Sequence, residues 1–275
     1  VINKLKSMQI ESWHAKSSSS YMGKGKYRMD NLEELHLSRL TSNDIVYSFL
    51  HSNPNLKSLS LIDCSFKELV PFESIPQIGV VPKLKVLKLI DLPYLENIGF
   101  ENDIVLQRIE ILILKDCPYL VTIVPSSVSL IHLTSLEVVN CKTLRNLLSP
   151  STAKSLCQLR TMKVIKCESL TDIVSAQENE ENAIEVVIVF KQLRALELVS
   201  LKNLKSYCNS KNCSFEFSSL EKLVVSACPK MENFSEKVQT TPMLQKIYVM
   251  HEKEKKKWYW YGTLRATIQT MFKEK

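Results

Sequence analysis

The chain has 275 residues, with 36 Lys/Arg against 29 Asp/Glu and 45% hydrophobic residues. That is the balance of a folded globular protein with room for a sizeable core. The formal net charge is +7, but residues 1–30 and residues 251–275 each carry +4, leaving −1 on the body between them. A basic stripe along the main body, the footprint of a nucleic-acid-binding protein, is therefore not expected. No run approaches the roughly 18 apolar residues of a membrane-crossing helix, and no secretory signal opens the chain. Five glycines are too few for a nucleotide-binding loop system. Opening on Val1 rather than Met, the sequence suggests an excerpt of a longer polypeptide.

In chain order, the pattern L-x-x-L-x-L begins weakly as Leu5-Met8-Ile10. It becomes plain at Leu32-Leu35-Leu37, Leu56-Leu59-Leu61 and Leu84-Leu87-Leu89. It continues through Ile109-Leu112-Leu114, Leu133-Leu136-Val138 and Leu159-Met162-Val164. It ends with Leu193-Leu196-Leu198, Leu220-Leu223-Val225 and Leu244-Ile247-Val249. The steps between copies are 24 to 28 residues, apart from one of 34, the spacing of leucine-rich repeats. The fourth and sixth positions lie two apart, so on a strand they share one side. A single repeat cannot bury that side, and stacked repeats can.

The expected fold is an α/β repeat, mainly β. It is a curved leucine-rich-repeat solenoid over residues 1–250 with about ten repeats. A parallel β-sheet lines its concave face, and irregular backbone with short helical turns forms the convex side. Residues 12–30, with Ser17-Ser18-Ser19-Ser20 and Lys24-Gly25-Lys26, read as an exposed loop. The Gly23-x-Gly25 pair within them is too short for a phosphate loop. The long step from Leu159 to Leu193 reads as an acidic insertion over 174–189, around Glu178-Asn179-Glu180-Glu181-Asn182.

Each strand is followed by Cys or Leu, often then Pro, and an apolar pair three apart, as in Cys117-Pro118-Tyr119-Leu120 with Ile123. Pro cannot donate to a strand ladder and turns the chain away. Five of the eight cysteines (Cys64, Cys117, Cys141, Cys167 and Cys228) share this position, so they are expected as core. With no C-x-x-C pair, zinc spacing is absent, and the missing secretory signal favours a reducing compartment. The five histidines are scattered, and no metalloprotease, nucleophile-elbow, P-loop or dinucleotide motif occurs. The reading is therefore a non-enzymatic protein without its own cofactor or metal.

Function then falls to the side chains that face outward on the concave sheet. One outward column contains His36, Ser60, Lys88, Ile113, Glu137, Lys163, Glu197, Val224 and Tyr248. The next contains Ile62, Ile90, Lys115, Val139, Ile165 and Val199, with Ser226 and Met250 beyond. Its apolar run suits a protein partner, although β-branched residues also simply favour strands. Residues 251–275 read as a basic, aromatic C-terminal cap. There Leu264, Ile268, Met271 and Phe272 mark one helix face, and the helix with Trp258 and Trp260 is expected to close the open core end.

These repeats resemble those of plant intracellular nucleotide-binding disease-resistance proteins of the coiled-coil class. The resemblance rests on the Cys at the strand exit, on Leu193-Arg194-Ala195-Leu196-Glu197-Leu198 with Leu204-Lys205-Ser206-Tyr207-Cys208, and on Leu220-Glu221-Lys222-Leu223 with Cys228-Pro229-Lys230-Met231. The ending Lys257-Trp258-Tyr259-Trp260 with Thr267-Ile268-Gln269 is similar to C-termini of this class, notably from legumes. The resemblance implies a cytoplasmic domain that senses pathogen effectors directly or through a guarded host protein. It also implies that the repeats hold the receptor's nucleotide-binding module inactive. ATP or ADP would then bind only in that upstream module, since this chain has no P-loop. The basic tail leaves a peripheral membrane contact open. The alternative reading is a substrate-recruiting repeat domain of a ubiquitin ligase, which would need an F-box or similar element not seen here.

Overall fold

In a computed structural model, residues 5–12, 28–69, 83–98, 104–126, 128–175, 186–210, 212–235, 237, 239–249 and 257–273 are described. The first half holds β1 (Ser7–Glu11), β2 (Glu34–Ser38), α1 (Asp44–Ser52), β3 (Ser58–Ile62), β4 (Val86–Ile90), α2 (Ile104–Arg108), β5 (Ile111–Lys115) and β6 (Ser135–Val139). Then come β7 (Asn146–Leu148), α3 (Pro150–Ser155), β8 (Thr161–Ile165), β9 (Asp172–Val174), β10 (Val186–Val189), β11 (Ala195–Val199) and β12 (Ser206–Cys208). The last elements are β13 (Cys213–Glu216), β14 (Lys222–Ser226), β15 (Gln239–Thr240), β16 (Ile247–Val249), β17 (Lys257–Tyr259) and α4 (Leu264–Lys273).

Every copy of the sequence pattern supplies one strand of an eleven-stranded sheet in the order β1-β2-β3-β4-β5-β6-β8-β11-β14-β16-β17. The strands are parallel and in register until β17, which returns antiparallel along β16. The reason lies in the period-two pattern. Leu35 and Leu37, Leu87 and Leu89, and Leu112 and Leu114 are all fully buried, while the residues between them are half-exposed. A one-residue slip would exchange those two sets.

One backbone feature repeats at the exits of β1–β6, β8, β11 and β14. Ser12, Arg39, Asp63, Asp91, Asp116, Asn140, Lys166, Ser200 and Ala227 all have φ between 51° and 57°. Each directly follows a strand. The N–H of Asp116 donates to the carbonyl of Val139 on the next rung, and that of Lys166 to Val199. The left-handed residue thus extends the ladder by one bond while bending the chain off the sheet. Asp and Asn tolerate this conformation, whereas Arg, Lys and Ala are uncommon there.

The following residue points inward, which explains the cysteines. Cys64, Cys117, Cys141, Cys167 and Cys228 are fully buried free thiols. The Sγ–H of Cys64, Cys117 and Cys228 donates to the carbonyl two residues earlier, at 3.3 to 3.4 Å. Hydrogen bonds to Cys117 and Cys167, together with burial, push the Cys141 thiol far above its ordinary range. Cys208 and Cys213 are also free and buried, and hydrogen-bond each other.

The convex side is more regular than expected. Two three-stranded parallel sheets, β7-β9-β12 and β10-β13-β15, cover part of it. Asn146, Asp172 and Ser206 stand in register on successive repeats, so equivalent backbone segments align and can pair. Helices α1, α2 and α3 are short, as expected, at nine, five and six residues. The insertion read over 174–189 is described only at its two ends. Val174 closes β9, and Val186–Val189 pair with β13, while residues 176–185 lie outside the described residues. The loop read over 12–30 likewise falls largely outside them, at 13–27.

At the C-terminus, Leu264 and Ile268 of α4 are buried against the core, with Met271 and Trp260 packed beside them. The side chain of Phe272 lies outside the described residues. Trp258 does not share in the cap as expected: it is 56% exposed. It sits in β17 opposite Tyr248, on the outer side of the sheet.

Candidate protein-binding face

Parallel pairing converts sequence register into three outward columns. Ile62, Ile90, Lys115, Val139, Ile165 and Val199 are consecutive neighbours across β3, β4, β5, β6, β8 and β11. His36, Ser60, Lys88, Ile113, Glu137, Lys163, Glu197, Val224 and Tyr248 form the central column from β2 to β16. Ile62 is 39% exposed, and most of the others are half-buried.

Two residues expected at this surface are not accessible. Ser60 is 2% exposed and Val224 1%. Each is short and stands between longer neighbours in register. His36 and Lys88 flank Ser60, and Glu197 and Tyr248 flank Val224. Ser226, at the end of the second column, is buried too, beside Val199. The Ser60 hydroxyl is buried without a hydrogen-bond partner among the described residues. Met250 lies outside the described residues.

A third column widens the apolar surface. It holds Val86 and Ile111 at the starts of β4 and β5, both half-buried. The position between the first and second pattern leucines carries this signal in each repeat, but its mixture of Glu34, Ser58, Val86, Ile111, Ser135 and Thr161 hides it in the sequence. Val86 and Ile111 are neighbours across β4 and β5, Ile113 follows Ile111 on the same face, and Ile90 and Val139 stand diagonal to Ile113 on either side of Lys115.

Charged residues stand among and around these apolar ones. Lys115 meets Glu137 at 2.9 Å, and Lys222 pairs with Glu197. Lys88 and Lys163 share the central column with these carboxylates but have no ion pair or side-chain hydrogen bond among the described residues. At the far end, the Lys246 ammonium lies 5.0 Å from the Trp258 ring centroid. On one rim, Asp63, Asp91 and Asp116 occupy consecutive left-handed positions, with Tyr94 and Tyr119 exposed nearby in sequence. Among the described residues no cluster of His, Cys, Asp or Glu is arranged to hold a metal ion. No helix among them is long and apolar enough to cross a membrane.

A parallel sheet built from leucine ladders, with left-handed strand exits and a buried thiol spine, defines a leucine-rich-repeat solenoid. Such solenoids are typically protein-interaction modules rather than enzymes. Residues 129–253 match the family model described as plant disease resistance protein RPS2-like, leucine-rich repeats. β1–β5 continue the same register before that stretch. Comparison with curated proteins and with solved structures found no match.

Proposed function

We propose that this chain is the recognition domain of an intracellular plant immune receptor and that its concave sheet binds a partner protein. The observation that carries the proposal is the group of half-buried apolar side chains Val86, Ile90, Ile111, Ile113 and Val139, presented outward by neighbouring strands of the parallel sheet. An apolar surface of this kind, rimmed by charge, gains free energy when covered. The family match supports a role in disease resistance. On this reading the domain senses a pathogen effector directly or through a guarded host protein, and holds the receptor's nucleotide-binding module inactive in its absence. ATP or ADP would be bound by that upstream module, and the receptor would act in the cytoplasm.

The test is Ile113→Glu combined with Ile165→Glu in the full receptor. Both side chains stand on the outer side of the sheet, so the fold should persist. Loss of partner capture, or gain of activity without effector, is expected. Unchanged capture together with unchanged basal signalling would remove the concave face from the mechanism.

A further inference from the structure

We infer that the concave face takes an acidic amphipathic helix of a partner protein, laid across the strands, with carboxylates at Lys88 and Lys163. This names the partner chemistry of the face proposed above and rests on that proposal. Lys88, Ile113, Glu137 and Lys163 are consecutive members of one column. Three strand spacings of ~4.8 Å place the two lysines about 14 Å apart at that repeat. Glu137 between them is already engaged by Lys115, and Glu197 beyond Lys163 by Lys222. Among the described residues, Lys88 and Lys163 make no ion pair or side-chain hydrogen bond. Over β2 to β16 the outward cations Lys88, Lys115, Lys163, Lys222 and Lys246 outnumber Glu34, Glu137 and Glu197 by two. The face therefore favours a negatively charged partner.

The shape of the patch selects a helix. The columns are two residues apart along each strand, about 7 Å, so the area between the lysines is three columns wide, with Ile111, Ile113 and Val139 exposing apolar surface beside the paired Lys115 and Glu137. An extended segment repeats on one face about every 7 Å and could place one apolar side chain between two acids 14 Å apart. A helix rises ~1.5 Å per residue, so acids eleven residues apart share a face at a separation of about 16 Å. Apolar residues three, four, seven and eight positions after the first acid then cover the patch between them. The flexible lysine stems absorb the remaining difference.

The test is calorimetric titration of the 275-residue chain with a synthetic Ala-based helix bearing Glu at two positions eleven apart and Leu at the four intervening face positions. Binding is expected, with the K88E/K163E variant weakened at least tenfold. A peptide with Lys at both Glu positions should prefer that variant. Circular dichroism checks the fold of the variant, and K88A/K163A provides a second, milder version expected to show the same direction. Absence of binding, or affinities indifferent to charge reversal on either side, would overturn the inference. Capture of the natural partner separates the two proposals. Its loss in Ile113→Glu with full retention in K88E/K163E overturns the acidic-helix inference and leaves the recognition role standing.

Discussion

Tyr207 is fully buried, and its hydroxyl has no hydrogen-bond partner among the described residues. Its ring stacks on Phe234 at 4.7 Å and 7°, and meets Phe215 and Phe217 edge-on at 5.3 and 5.8 Å. The ring is therefore well placed while the oxygen is stripped of water. Burial, and secondarily Cys208, hold the phenol far above its ordinary ionisation range. Leaving a buried polar group unsatisfied costs about 1–3 kcal/mol. Tyr207→Phe removes that oxygen and keeps the aromatic contacts, so it should stabilise the fold by roughly 1 kcal/mol, the low end of that range. Tyr207→Ala should instead cost about 3–5 kcal/mol through lost packing. Urea unfolding followed by far-ultraviolet circular dichroism measures both, with Tyr207→Phe raising the midpoint at an unchanged slope. A loss of more than about 1 kcal/mol in Tyr207→Phe, the worth of an ordinary hydrogen bond, would show that the hydroxyl is bonded and refute the reasoning.

Three further outcomes follow from the scaffold. Ala227 is held at φ 51°, a conformation costing L-residues roughly 1–2 kcal/mol. Ala227→Gly should therefore stabilise by about 1 kcal/mol after the entropy of glycine is set against it, and a lower melting temperature would contradict this. Burial raises the Cys64 thiol, and hydrogen bonding to Cys213 followed by burial raises Cys208. Both contribute stability that is intact below the unfolded thiol value near pH 8.5 and falls as pH rises above it, by up to about 1.4 kcal/mol per pH unit for each group. Alanine at both positions should flatten the alkaline limb of a stability-versus-pH curve, and an unchanged limb would count against it. Trp258→Ala should cost under about 1 kcal/mol, since an exposed cation–π contact is worth no more. Leu264→Ala, at the buried face of the terminal helix, should cost about 2–5 kcal/mol. Equal losses in thermal unfolding would mean that the tryptophan belongs to the cap after all.

The parts legible in the sequence are those fixed by a short period repeated many times. Leu112 and Leu114 are buried because any strand with that alternation on a one-sided core must bury them. The same logic placed Cys141 in the spine, because a residue one step past a fixed bend has a fixed direction. The second sheets were less visible: Asn146, Asp172 and Ser206 share a register but not a residue type. Pairing there comes from alignment of backbones that the first sheet has already stacked. The misplacement of Ser60 and Val224 has a different cause. Direction on a strand follows from parity, but exposure depends on the length of the neighbours on adjacent rungs, which lie 24 to 28 residues away in sequence. Trp258 shows the same limit from the other side. Its aromatic neighbourhood suggested burial, yet the antiparallel return of β17 turned it outward opposite Tyr248 and beneath Lys246. What a repeat presents is thus set in two layers. The scaffold's direction is written locally, and the surface offered to a partner is written in the side-chain lengths of the rungs on either side.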